Sequence, residues 1–238
     1  MAHHSETFVE VWKDSRRSLT EFVRKWENLH RASKSRIDEL RKPSMTKPKG
    51  GMKLTILPLT PDLWPALEDL FGKRGACNGC WCMYWRIGSA YHKRPRERNR
   101  ADFREVVRGG PPPGLVAFHR DIPVGWCQLT PRSALPWLDR TWRLERVDDL
   151  PVWSLSCFYV RIGHRRQGVT AQLIAAALQA ARCAGAPALE AYPLDAKLTP
   201  SSSSTGYATT FARAGFRIVA RRVPPRPIMR RDLEAIGQ

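Results

Sequence analysis

The chain has 238 residues, enough to bury a sizeable core, and its 42% hydrophobic content with nine Trp excludes a disordered protein. Forty Lys and Arg against 22 Asp and Glu give a net charge of +18, which points either to a polyanionic partner or to Arg filling ordinary surface positions. The basic residues are spread along the chain instead of forming a block, which argues against a dedicated nucleic-acid surface, and no apolar run reaches the ~20 residues of a membrane span.

Residues 1–51 read as an appended segment. Phe8, Val11, Trp12, Leu19, Phe22, Trp26 and Leu29 recur at three- and four-residue steps, predicting one apolar face of a helix over residues 6–41. Pro43, Pro48, Gly50 and Gly51 follow as a linker. The apolar stripe is a candidate homodimer surface. Residues 1–14 lack the basic-then-apolar layout of a secretory signal, so a cytoplasmic protein with six reduced thiols is expected.

A domain over residues 52–238 opens with an alternating strand at residues 52–57, followed by Thr60-Pro61-Asp62 as the start of a helix reaching Leu70. Cys77, Cys80 and Cys82 then lie at C-x-x-C-x-C spacing, with His92 downstream. Zinc is one reading. The interleaved Trp81, Met83, Tyr84 and Trp85 favour a buried wall, and no metal site is assigned. Residues 95–108 predict a charged helix, stopped by Gly109-Gly110-Pro111. Residues 115–119 and 124–129 form a predicted hairpin, and residues 131–151 an insertion that could cover a substrate site.

Residues 156–160, Ser-Cys-Phe-Tyr-Val, have the composition of a buried strand, and 171–182 that of a strong helix. Between them lies a turn rich in Gly and Arg. Strand, turn and helix N-terminus aim backbone N–H groups at one point, where the helix dipole favours an anion. Gly168 permits close approach and Arg165 and Arg166 add cations, which together make a pyrophosphate cradle. The glycine spacings of nucleotide P-loops and of dinucleotide folds are both missing. Residues 187–193 predict a parallel strand beside 156–160, residues 198–204 a polar loop, and residues 205–216 a short helix ending at Gly215. Residues 216–220 and 228–233 predict the last two strands.

The run Arg165-Arg166-Gln167-Gly168-Val169-Thr170 resembles the Arg/Gln-x-x-Gly-x-Gly/Ala signature of the GNAT N-acetyltransferase superfamily, with Thr170 in place of the final small residue. Gly125-Trp126-Cys127 and the Gly215-Phe216 helix ending are similar to earlier and later features of the same family, in the right order. The resemblance implies an α/β (α+β) fold, a mixed central sheet of about six to seven strands flanked by helices. It implies acetyl-CoA as co-substrate, with Arg165, Arg166, Gln167, Gly168, Val169 and Thr170 on the pyrophosphate. Phe158, Tyr159 and Val160 would meet the pantetheine arm where two strands splay apart. The acceptor would be an amine of a small molecule or a protein. Tyr207 is the candidate proton donor and Glu190 the candidate base, with a water relay or an amine that arrives neutral as alternatives to the latter. Two other readings stay open: an acyl-CoA-binding scaffold without turnover, and a basic nucleic-acid binder.

Overall fold

The alternation at residues 52–57 gives a short strand, β1 (Thr55–Pro58), in the computed structural model, which describes residues 52–195 and 204–233. The N-terminal helix and its proposed dimer face fall outside the described residues. Pro61 opens a 3-10 turn that runs into α1 (Trp64–Phe71), which buries Trp64, Leu67, Leu70 and Phe71. After an irregular bend come α2 (Tyr84–Ile87) and the charged α3 (Arg96–Gly109).

β2 (Gly114–His119) and β3 (Ile122–Pro131) form the hairpin. Its loop is tighter than expected, because Ile122 and Pro123 already pair with His119 and Phe118. The insertion that follows holds only short 3-10 turns, Arg132–Ala134 and Trp142–Leu144. β4 (Trp153–Val160) begins ahead of Ser156, since Trp153, Ser154 and Leu155 are paired on both edges, to β3 and to β5 (Ala188–Ala191). α4 (Val169–Cys183) crosses between those two strands, and α5 (Ala208–Arg213), β6 (Arg217–Val223) and β7 (Arg226–Asp232) complete the domain.

The seven strands run in the order β1-β2-β3-β4-β5-β7-β6, with β4–β5 the parallel pair and the other neighbours antiparallel. One face packs on α4, where Leu173, Ile174, Ala177 and Leu178 meet Leu115, Leu155 and Leu189. The other face carries two clusters. Trp64, Phe71 and Phe103 surround Trp126, while Leu135, Leu138 and Leu144 of the insertion gather with Trp85 on Tyr192. Among the described residues no helix is long and apolar enough to cross a membrane.

The seating of α4 depends on Gly125. A Cβ there would stand 2.7 Å from Val169 Cγ1 and 3.2 Å from Leu173 Cδ1, closer than van der Waals contact allows. Gly125→Val should therefore cost about 1–3 kcal/mol and lower the melting temperature by roughly 3–10 °C. An unchanged melting curve would contradict this packing.

Candidate active site

The chain leaves β4 through a 3-10 turn, Ile162–His164, and reaches α4 by two left-handed residues, Arg166 at φ +62° and Gly168 at φ +81°. Gly168 is the residue preceding the first turn of α4, and its conformation is one that a side chain disfavours. Gln172 N–H is already bonded back to Gly168 O at 3.1 Å. The N–H groups of Val169, Thr170 and Ala171, one step earlier, belong to the first turn and have no partner within the helix. The space beside Gly168 is open, since a Cβ there would meet nothing within 4 Å. Arg165 Nε donates to Val160 O at 3.1 Å and Gln167 Nε2 to Gly163 O at 3.0 Å, which pins the turn to the end of β4. Arg165, Arg166, Gln167 and Gly168 are exposed, whereas Val169 is buried in the core. The residues thus fit a diphosphate: free amides, a positive helix end, two guanidiniums and no acidic side chain in the first helical turn.

β4 and β5 pair only at Trp153↔Leu189, Ser154↔Glu190 and Leu155↔Ala191, and then separate. Ser156 is an extra residue on β4, because Gln128 pairs with Cys157 and Leu129 with Leu155. That bulge turns the outer edge of Phe158, Tyr159 and Val160 away from β5. The gap receives the segment leading to α5: Phe158 N–H donates to Ser204 O at 2.6 Å, while Leu194 N–H donates to Gly206 O at 2.9 Å. Phe158 faces the α4 side, in contact with Phe211, and Tyr159 faces the α1 side, in contact with Phe71.

Cys157 lies half-buried beyond the bulge, near the wall formed by residues 76–82. That wall is conformationally unusual. Ala76, Asn78, Trp81 and Cys82 all have positive φ, between +34° and +57°. Long-range bonds hold it there: Trp126 Nε1 to Cys82 Sγ at 3.1 Å, Gln128 Nε2 to Cys82 O at 3.2 Å, and Asn99 Nδ2 to Gly79 O at 2.9 Å. Burial pushes the Cys80 thiol up to about 12 and the Cys82 thiol well above its ordinary value, so these side chains act as apolar wall. Among the described residues no group of three His, Cys, Asp or Glu side chains could hold a metal ion. The insertion closes the same face by docking on α2: Trp137 N–H donates to Trp85 O at 3.0 Å and Arg86 Nη1 to Ala134 O at 3.1 Å.

Glu190 and Tyr207, the two candidate proton-transfer groups, are not brought together with the loop in the same way. Tyr207 precedes α5, is 37% exposed and bridges to Leu194; the adjacent Gly206 stands against Phe158 of β4 and Phe211. Glu190 is 1% exposed at the last paired stretch before the strands part. Its Oε1 accepts from Arg230 Nε at 3.0 Å and Nη2 at 2.7 Å, and its Oε2 from Arg132 Nη1 and Tyr192 Oη, both at 3.2 Å. Arg132 reaches on to Asp139 at 2.7 Å, and Arg230 to Asp148 at 2.6 Å. Arg132, Arg230 and Tyr192 went unnoticed in the sequence. Their only signal was Glu190 itself, a charge inside an otherwise apolar strand, which requires buried partners.

An open helix N-terminus after a strand that parts from its parallel neighbour defines the class: an acyltransferase that takes its acyl group from a coenzyme A thioester. The chain belongs to the acetyltransferase (GNAT) family, whose sequence model matches residues 79–198, and the family's acetyl donor is acetyl-CoA. No curated protein matches the chain. Solved structures similar to it include the PaiA N-acetyltransferase of Thermoplasma acidophilum in complex with coenzyme A, 13% identical, with a TM-score of 0.45, covering 76% of this chain and 99% of that one. YncA of Salmonella typhimurium, solved with its cofactor acetyl-CoA, is 14% identical over 78% of this chain and 96% of that one, with a TM-score of 0.44. A polyamine N-acetyltransferase of Drosophila melanogaster is 11% identical over 76% of this chain and 100% of that one, with a TM-score of 0.49.

Removing Glu190 would leave Arg132 and Arg230, each 6% exposed, without their shared carboxylate. Glu190→Ala should destabilise the domain by about 3–5 kcal/mol, read from chemical unfolding. A loss below about 1 kcal/mol would mean that solvent reaches the network and screens it.

Proposed function

We propose that this acetyltransferase moves the acetyl group of acetyl-CoA to a primary amine, with the turn at residues 165–170 as the cofactor grip. The observation that carries this reading is Gly168, left-handed and open-fronted at the N-terminus of α4. The amides of Val169, Thr170 and Ala171 meet the diphosphate, and Gln167 holds the turn's shape. Arg165 and Arg166 add the charge that offsets it. The outer edge of Phe158, Tyr159 and Val160 takes the pantetheine arm, as a peptide adds to a strand edge.

When bound, acetyl-CoA supplies an activated acyl carbon and a thiolate leaving group. The chain's share is then to polarise, to orient and to move a proton. Phe158 N–H is the β4 amide that points into the gap, and we assign it to the thioester oxygen, exchanging its bond to Ser204 O for one to the cofactor. Tyr207 donates the proton that the departing sulfur takes up. Both oxygens of Glu190 are engaged by Arg132, Arg230 and Tyr192, so we assign Glu190 to holding the strand junction. Proton removal from the acceptor then falls to water, or the amine arrives neutral. The nucleic-acid and scaffold readings find no support in the family assignment. Part of the positive charge is also paired internally, as where Arg161 meets Asp69, Arg100 meets Glu68 and Arg221 meets Asp195.

Two substitutions separate these roles. Gly168→Val should raise the KM for acetyl-CoA by at least about tenfold with little change in kcat, because it removes grip on the distant diphosphate; unchanged kinetics would remove the cradle. Tyr207→Phe should lower kcat by about a hundredfold while acetyl-CoA affinity holds, and full activity in that variant would pass the donor role to solvent.

A further inference from the structure

Most buried or half-buried arginines of this chain can be traced to a carboxylate or a carbonyl. Arg132 and Arg230 meet Glu190, Arg161 meets Asp69 and Pro123 O, and Arg86 meets Ala134 O. Arg226 is different. It is half-buried, and its hydrogen bond is to a neutral group, from Nη1 to Thr205 Oγ1 at 3.1 Å. Among the described residues, neither Arg226 nor Arg143 has a salt-bridge partner. Burial lowers the Arg226 pKa, the charge of nearby Arg143 lowers it further, and Tyr84 works in the opposite direction. Two guanidiniums within electrostatic reach, both half-buried and neither paired with a carboxylate among the described residues, make a positively charged spot that an anion would complete.

The placement says what that anion would be part of. Alternation along β7 puts Arg226 on the same face as Ile228, which packs with Trp85 and Tyr192, and Arg230, which binds Glu190. That face is opposite α4. Thr205, the partner of Arg226, follows Ser204, whose carbonyl accepts the Phe158 N–H. Arg226 therefore stands across the strand gap from the amide assigned to the thioester. Tyr84 of α2 and Arg143 of the insertion lie within electrostatic reach of it. The diphosphate seat lies further along, beyond Val160 and the turn at residues 162–168, at the entrance to α4.

We infer that Arg226, with Arg143 beside it, binds an oxyanion carried by the acceptor, a carboxylate or a phosphate, and so directs the acceptor's amine at the acyl carbon next to Phe158. The substrate class is an amine with an anionic group on the same skeleton, such as an amino acid or a phosphorylated amine. This inference rests on the acetyltransferase reading and adds the acceptor to it. A guanidinium suits the role because its planar fork pairs with either oxyanion by two parallel hydrogen bonds.

The test uses product pairs that differ only in the anion, titrated into the full-length protein loaded with coenzyme A and followed by tryptophan fluorescence. One pair is N-acetyl-L-phenylalanine and N-acetylphenethylamine; the other is N-acetylphosphoethanolamine and N-acetylethanolamine. The anionic member of at least one pair should bind about tenfold or more tightly than its neutral partner, as expected for a charge-assisted hydrogen bond. Whichever pair shows the preference identifies the oxyanion. Arg226→Ala should abolish the preference, Arg226→Lys should keep part of it, and Arg226→Gln, which can still bond Thr205, serves as a second loss variant with the local structure kept. Equal binding within both pairs, no binding by either, or a preference that survives Arg226→Ala would overturn the inference. So would a fall in coenzyme A affinity in Arg226→Ala, which would move Arg226 to the cofactor. Calorimetry of the wild-type protein with coenzyme A separates the two levels. Binding of coenzyme A without anion preference sinks the acceptor site alone, whereas no binding of coenzyme A sinks both.

Discussion

The carboxylate of Glu190 sits between the guanidiniums of Arg132 and Arg230 and ties together three parts of the chain that are far apart in sequence. Arg132 belongs to the insertion after β3, Glu190 to β5 and Arg230 to β7, so the ion network fastens the insertion and the second half of the sheet at one point. Two buried cations against one buried anion would be unfavourable alone. Asp139 and Asp148, at the solvent edge, supply the remaining negative charge. Next to this fastening β4 and β5 pair for three positions, and immediately beyond it they part. The cleft exists because the strands are held on one side of that point and released on the other.

What releases them is local. The extra residue Ser156 changes the register of β4 against β3, its hydroxyl bonds Gln128 Oε1 at 3.0 Å, and its carbonyl accepts from Trp85 Nε1 at 3.2 Å. The bulge is thus anchored from both the strand behind it and the helix above it. Beyond it the strand edge has no sheet neighbour, and at its far end the chain turns through Arg166 and Gly168 into α4. A strand edge without a sheet neighbour and a helix end with free amides, less than one element apart, suit a ligand with an amide-bearing arm and a diphosphate.

Elements whose cause is local were legible in the residues. The helix of α4, the glycine turn before it, the hairpin and the succession of strands along the chain follow from periodicity and breakers within a dozen or so residues. The early start of β4 was not legible, because Trp153 and Ser154 become strand by pairing with Leu189 and Glu190, which lie well downstream. The same holds for the left-handed residues 76–82, whose conformation is imposed by Asn99, Trp126 and Gln128. In the candidate site, the left-handed glycine turn ahead of α4 could be read from a short motif. The ionic lock of Glu190 could not, since a single acidic residue in a strand is equally the mark of a base and of a buried ion pair. Arg226 carried no signal at all among so many arginines; its meaning comes from what it lacks beside it.

The central claim is that a diphosphate rests on the first amides of α4. Amide chemical shifts recorded while coenzyme A is titrated into the ¹⁵N-labelled protein test it most directly. The account predicts that the largest changes fall on residues 167–171, together with Phe158 as its bond to Ser204 is exchanged, and that 3′,5′-ADP, which has no diphosphate, leaves residues 167–171 nearly unmoved. Shifts from coenzyme A that leave those amides untouched and gather elsewhere would contradict it.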